Sequence, residues 1–103
     1  MQKLSIYIPM ELPQAVDYVR LTLIGLSDIT GGASSTLVNG AWMSQFHVLI
    51  QEPVTVVYTL ATEKQAETAK LWLQKVAREI RTALNQEAVL ITVEDVKEAI
   101  FVS

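Results

Sequence analysis

Hydrophobic and polar positions alternate at the start of the chain. Leu4, Ile6 and Ile8 are interleaved with Lys3, Ser5 and Tyr7. A period of two puts the apolar side chains on one face of a pleated ribbon, so residues 3–8 are predicted as a strand. Pro9 and Pro13 bracket a short loop. Pro13 suits the first turn of a helix, where its missing N–H would have no intrahelical partner. The period then changes. Leu12, Val16, Val19, Leu23 and Leu26 recur at spacings of four, three, four and three, and Ala15 and Ile24 widen that stripe. Such spacing predicts an amphipathic helix over residues 14–27. Thr30-Gly31-Gly32 stops it, with Gly31 as a left-handed cap.

Beyond the glycines, residues 33–38 are rich in Ser and Thr and read as an exposed, weakly patterned strand. Asn39-Gly40 is the strongest short turn signal in the chain. It predicts a hairpin in which residues 42–50 return, with an excursion around Gln45-Phe46-His47, and Pro53 marks a strand start. Residues 54–60 are β-branched and almost continuously apolar, as expected of a central strand. Thr62-Glu63-Lys64-Gln65 matches a capping box. Behind it, Ala66, Ala69, Leu73, Val76, Ile80 and Leu84 form a clean helical stripe, flanked by Trp72 and Ala77 and closed at Asn85. Residues 88–93 predict another strand, Glu94-Asp95 a turn, and residues 99–102 a short last strand.

The order is β-α-β-β-α-β, with a possible extra C-terminal strand. It predicts a single α+β domain over residues 1–103, a ferredoxin-like sandwich with two helices on one face of an antiparallel sheet. The other sheet face has no helix left to cover it, although several strands are apolar on both sides. That implies a partner surface, and a homo-oligomer, dimer or trimer, is expected.

Composition narrows the function classes. The 103 residues are half hydrophobic and make one domain that can bury a core without disulfides or metals. Net charge is −3, and the eight Lys and Arg are scattered, which argues against a nucleic-acid partner. Lys75, Arg78 and Arg81 cluster on one helix with Glu79 among them, a solvated face. With no cysteine and one histidine, a disulfide scaffold, a thiolate site, a multi-His metal site and a cysteine nucleophile are all excluded. The opening Met1-Gln2-Lys3-Leu4 has no signal-peptide pattern, and residues 19–26 are too short and too polar to span a bilayer. A cytoplasmic location is the expectation, with no membrane partner and no cofactor.

Residues 31–52 concentrate the unusual chemistry. Two glycines, Gly31 and Gly32, are followed by Trp42, Phe46, the single histidine His47, and Glu52 just before Pro53. One reading is a ligand site of Trp42, His47 and Glu52, shared between subunits, with Glu52 as base and His47 as proton carrier or anchor. The other is a hairpin whose aromatics pack into an oligomer interface, with Glu52 as a strand-edge charge. The run Thr30 to Thr36 could cradle an anion through its N–H groups and hydroxyls. It follows a helix and lacks a lysine, so it is no P-loop. Trp72 reads as packing and Glu87 as a solvated turn residue. Asp17 and Asp28 share a helix face three turns apart, too far for a carboxylate pair. No Ser-His-Asp arrangement exists, and no catalytic residue is assigned.

The layout resembles the ferredoxin-like oligomers of the PII signalling and CutA copper-tolerance families. The likeness lies in an opening Ile6-Tyr7-Ile8 strand followed by a helix, a long hairpin holding Gly40-Ala41-Trp42, and a return strand near Glu52. It implies a trimer or dimer with sites at subunit clefts. It transfers no metal, nucleotide or catalytic residue. CutA-like hairpins carry a Tyr-x-Trp pattern and a cysteine, where this chain has Gly40 and no cysteine. The expected function is a non-enzymatic oligomeric module that binds a small ligand or protein partner. The alternative is a small enzyme of dimeric α+β barrel type, with Trp42, His47 and Glu52 lining a cavity.

Overall fold

The computed structural model describes residues 1–103. Its elements follow the order β1 (Gln2–Pro9), α1 (Ala15–Thr30), β2 (Ser34–Met43), β3 (Leu49–Ala61), α2 (Glu63–Ala83) and β4 (Ile91–Asp95). The strands form one antiparallel sheet in the order β2-β3-β1-β4. This is the ferredoxin-like arrangement. Helices α1 and α2 lie on one face of the sheet, over Leu4, Ile6 and Ile8 of β1 and Val57 and Ala61 of β3, all buried.

Helix α2 forms as its sequence dictates. Thr62 accepts from the Gln65 N–H, and the Gln65 side chain accepts from the Thr62 N–H, so two of the otherwise unpaired donors are satisfied. Its stripe of Ala66, Ala69, Leu73, Val76 and Ile80 is buried without exception, and Leu84 joins it just beyond the last turn. The helix ends in a Schellman motif. Asn85 is left-handed at φ 52°, its N–H reaches the Thr82 carbonyl, and the Gln86 N–H reaches the Arg81 carbonyl.

Helix α1 is rotated relative to the predicted stripe. Its buried residues are Ala15, Thr22 and Leu26, while Leu12, Val16 and Ile24 are exposed. Two local facts explain the rotation. Thr22 donates its hydroxyl to the Tyr18 carbonyl at 2.6 Å, so it enters the core with its polar atom satisfied. Gly25 faces α2, and a Cβ there would fall inside the indole ring of Trp72. Helix α1 therefore meets the Trp72 ring through Gly25, and Val16 and Ile24 turn outward. The Trp72 Nε1 is buried with no acceptor, a penalty that the ring's apolar contact must outweigh. Gly31 caps α1 in the left-handed region at φ 94°, as predicted.

The sheet departs from expectation in four places. Asn39-Gly40 is not a turn. Strand β2 runs straight through it, pairing Asn39 with Pro53 and Gly40 with Glu52. The glycine is needed because a Cβ would approach the Val54 Cγ2 to 2.9 Å. The Glu94-Asp95 pair is not a turn either. It ends β4, paired with Lys3 and Gln2. No extra C-terminal strand forms: residues 96–103 have no regular structure, and Ile100, Phe101 and Val102 are exposed.

Pro53 lies inside β3 rather than at its start. Its carbonyl accepts from the Met10 N–H at 2.9 Å, which puts its missing donor on the side where β1 ends. Strand β3 has 13 residues against eight in β1, so the lower part of the β2–β3 hairpin extends beyond the helices. The molecule is accordingly 49 Å long and only 25 by 22 Å across. Its radius of gyration, 14.5 Å, exceeds the roughly 13 Å of a compact chain this size.

Replacing Gly25 by Ala should destabilise the fold by about 1–3 kcal/mol, because the indole of Trp72 must leave its seat. Adding Trp72→Leu should recover part of that loss. Urea denaturation of both variants tests the contact; an unchanged midpoint for Gly25→Ala would refute it.

Candidate functional site

The projecting hairpin builds one wall of a cleft. Its turn lies at residues 44–48 and is organised by Ser44. The Ser44 hydroxyl oxygen accepts from the N–H groups of Phe46 and Val48, both at 3.2 Å, and its carbonyl accepts from the His47 N–H at 3.0 Å. His47 sits at φ 56°, a left-handed position that His tolerates better than most side chains. Trp42 pairs with Ile50, and Gly40 pairs with Glu52. Trp42 and Glu52 are therefore diagonal neighbours on one face of the ribbon.

The second wall is the segment that follows α2. Asn85, Gln86 and Glu87 face Trp42, Phe46 and Glu52 across a cleft of about 750 Å³. The Schellman motif fixes where this segment leaves the helix. The Arg81 Nε donates to the Glu87 carbonyl at 3.1 Å, and the Gln86 side-chain amide donates to the Leu84 carbonyl at 3.0 Å. An adjoining hollow of about 210 Å³ shares Asn85 and Gln86 and reaches Glu11 in the β1–α1 loop.

Glu52 is electrostatically distinctive. Partial burial in the cleft pushes its pKa above the ordinary carboxylate value. The neighbouring Glu11 carboxylate pushes it the same way. Trp42 is 54% exposed and Phe46 78% exposed, so the cleft is open to water.

Of the residues singled out from the sequence, Trp42, Phe46 and Glu52 converge on this cleft. His47 is on the adjacent turn and is not in the lining. Gly31 and Gly32 lie at the other end of the β2–β3 ladder, in a separate hollow of about 460 Å³ with Tyr58, Leu60 and Phe101. There Thr59 donates to the Gly32 carbonyl at 2.7 Å, and Thr30 and Thr59 share a 2.5 Å hydroxyl contact, which ties the end of α1 to β3. Sequence reasoning passed over Glu11 and read residues 85–87 as helix exit and solvated turn. The Pro9 and Pro13 bracket held the one usable signal, since it predicts a constrained loop carrying a carboxylate. Nowhere do three His, Asp or Glu side chains converge on one point, so the side chains present do not fit a metal centre of the kind a copper-tolerance protein suggests. No helix is long and apolar enough to cross a membrane.

No known family model matches the chain, and no curated protein does. Solved structures share its fold. CutA from Synechococcus elongatus is 12% identical, over 89% of this chain and 72% of that one, with a TM-score of 0.61. CutA from Pyrococcus horikoshii is 13% identical, over 96% and 87%, with a TM-score of 0.61. A phage SAM lyase in complex with S-methyl-5'-thioadenosine is 15% identical, over 91% and 80%, with a TM-score of 0.62. The chain thus has the ferredoxin-like fold of the CutA and PII-like proteins. That fold also carries a lyase, so architecture alone does not fix an activity.

The raised pKa of Glu52 has a definite sign. The folded state holds a proton that the unfolded state has already released, so this group stabilises the fold at low pH. The contribution is full below the ordinary glutamate value and is lost as pH rises through the raised one. Glu52→Gln should therefore gain stability relative to the parent as pH rises through that window. Urea midpoints measured across pH 4 to 8 check this, and parallel curves would refute it.

Proposed function

We propose that this chain is a self-associating cytoplasmic module that binds a small organic ligand in the cleft between the β2–β3 hairpin and the segment after α2. One observation carries the reading: Glu52, partly buried and close to Glu11, lines the same cleft as the exposed aromatics Trp42 and Phe46. A cleft with apolar rings and a few convergent polar groups is the usual form of a small-molecule site. Self-association is supported by the hairpin itself, which exposes Met43, Val48 and Leu49 beyond the end of β1 and Leu37 higher on β2.

A second reading, an enzyme, is favoured by the same carboxyl. A glutamate held above its ordinary pKa is suited to proton transfer, and a lyase shares the fold. The open cleft weighs against it, since nothing in a single copy excludes water from Glu52.

Light scattering should report a mass above the 11.4 kDa of one chain, rising with concentration. A monomer mass independent of concentration would overturn the self-association. A thermal-shift screen of nucleosides, amines and amino acids tests the site. A ligand at ten times its Kd adds about 1.4 kcal/mol of stability, hence a shift of several degrees. Trp42→Ala should abolish that shift while its own melting temperature stays near the parent's. A shift that survives Trp42→Ala would place the ligand elsewhere, and steady consumption of the ligand would favour the enzyme.

A further inference from the structure

The chemistry of the cleft restricts what can enter it. Its charged side chains are Glu52 and Glu87, and no Lys, Arg or His lines it. Asn85, Gln86, Ser44 and Gln45 supply neutral polar groups. Glu11 adds a third carboxylate in the adjoining hollow. The far wall begins just after the C-terminus of α2, the end of a helix that carries partial negative charge. The Arg81 Nε donates to the Glu87 backbone carbonyl behind that wall, and its side chain is not part of the lining. Trp42 and Phe46 then offer ring faces, and indole is the best natural π-donor to a cation.

Resting on the ligand-site reading above, we propose that the cleft selects a small organic cation, a quaternary ammonium or protonated amine, and rejects phosphate-bearing molecules. The cation sits against the indole of Trp42 with the Glu52 carboxylate as its counter-charge. A phosphate would meet two carboxylates and a helix C-terminus with no cation to offset them. The protein's basic groups lie elsewhere: five of the eight Lys and Arg are on α2, and none is in this lining.

Proton and cation compete for Glu52. The charged groups brought to it by the surrounding elements are Glu11 from the β1–α1 loop and Glu87 from the segment after α2, while its β2 partner is Gly40. Arg81 of α2, bonded to the Glu87 carbonyl, stays charged throughout, so the pH dependence comes from Glu52 losing its proton, and affinity for a cation rises with pH.

The probe is choline, compared with its neutral isostere 3,3-dimethyl-1-butanol and with adenosine monophosphate. The readout is the indole N–H resonance in a nitrogen-15 correlation spectrum, where the chain's two tryptophans give separate signals. Choline should move the Trp42 indole and leave that of Trp72 in place. It should bind about tenfold tighter than the isostere at pH 8, with the preference shrinking at pH 5. Glu52→Gln should remove both the preference and its pH dependence. Equal binding of the isostere, or tighter binding of adenosine monophosphate at Trp42, would overturn the cation selectivity and leave the ligand site standing. If no small molecule moves the Trp42 indole while dilution of the protein does, the cleft is an interface between copies, and both readings fall.

Discussion

Strand β3 is 13 residues long and β1 is eight, and that inequality governs the rest of the molecule. Where the two run together, β3 is an interior strand whose alternate side chains, Thr55, Val57, Thr59 and Ala61, are buried under the helices. Below Pro9 the pairing partner is gone. Strand β3 continues with β2 alone, as a two-stranded ribbon with no helix over either face. Isolated ribbons are marginal in water. This one is anchored because its upper half belongs to the sheet. The same overhang puts Trp42, Phe46 and Glu52 at a place where the segment leaving α2 can face them, so the cleft exists because the hairpin outruns its sheet.

The helical layer answers to a different constraint. Two helices must share the narrow face of a small sheet, and they do so by bringing Gly25 against Trp72. Close approach through a small residue sets the rotation of α1. That rotation decides which apolar side chains enter the core and which remain in water. Val16 and Ile24 are exposed for this reason, and polar Thr22 is buried because its hydroxyl finds a partner within its own helix.

How legible these features were in the sequence depended on whether the relevant physics was local. The capping box at Thr62 and the stripe from Ala66 to Leu84 are local, and α2 matched them closely. The left-handed cap at Gly31 is local too. The phase of α1 was not, because hydropathy ranks Val16 above Ala15 and takes no account of an indole on the neighbouring helix. Asn39-Gly40 carries the composition of a turn, yet its glycine answers to Val54 across the ribbon. The real turn at Ser44 has neither glycine nor proline to announce it. At the cleft, Trp42, Phe46 and Glu52 stood out as uncommon residues in an otherwise plain segment. Glu11 and residues 85–87 did not, because they become relevant only when the fold brings three distant segments together. The apolar residues at the chain's end carried the pattern of a strand but pair with neither free edge of the sheet.

Pro53 has a bearing on how copies of this chain can meet. Paired with Met10 it completes only one of the two hydrogen bonds that such a rung normally holds. With that rung taken by Met10, only the short stretch 49–52 of β3 is left on the edge that β1 vacates. The β4 edge is short and ends in Glu94 and Asp95, both poor templates for an added strand. That leaves the outer edge of β2, ten residues without a proline, as the one border where backbone pairing with another molecule can proceed unbroken. A sheet with a single receptive border can close with a neighbour but cannot propagate. The exposed hairpin is thereby kept from becoming the seed of a fibre.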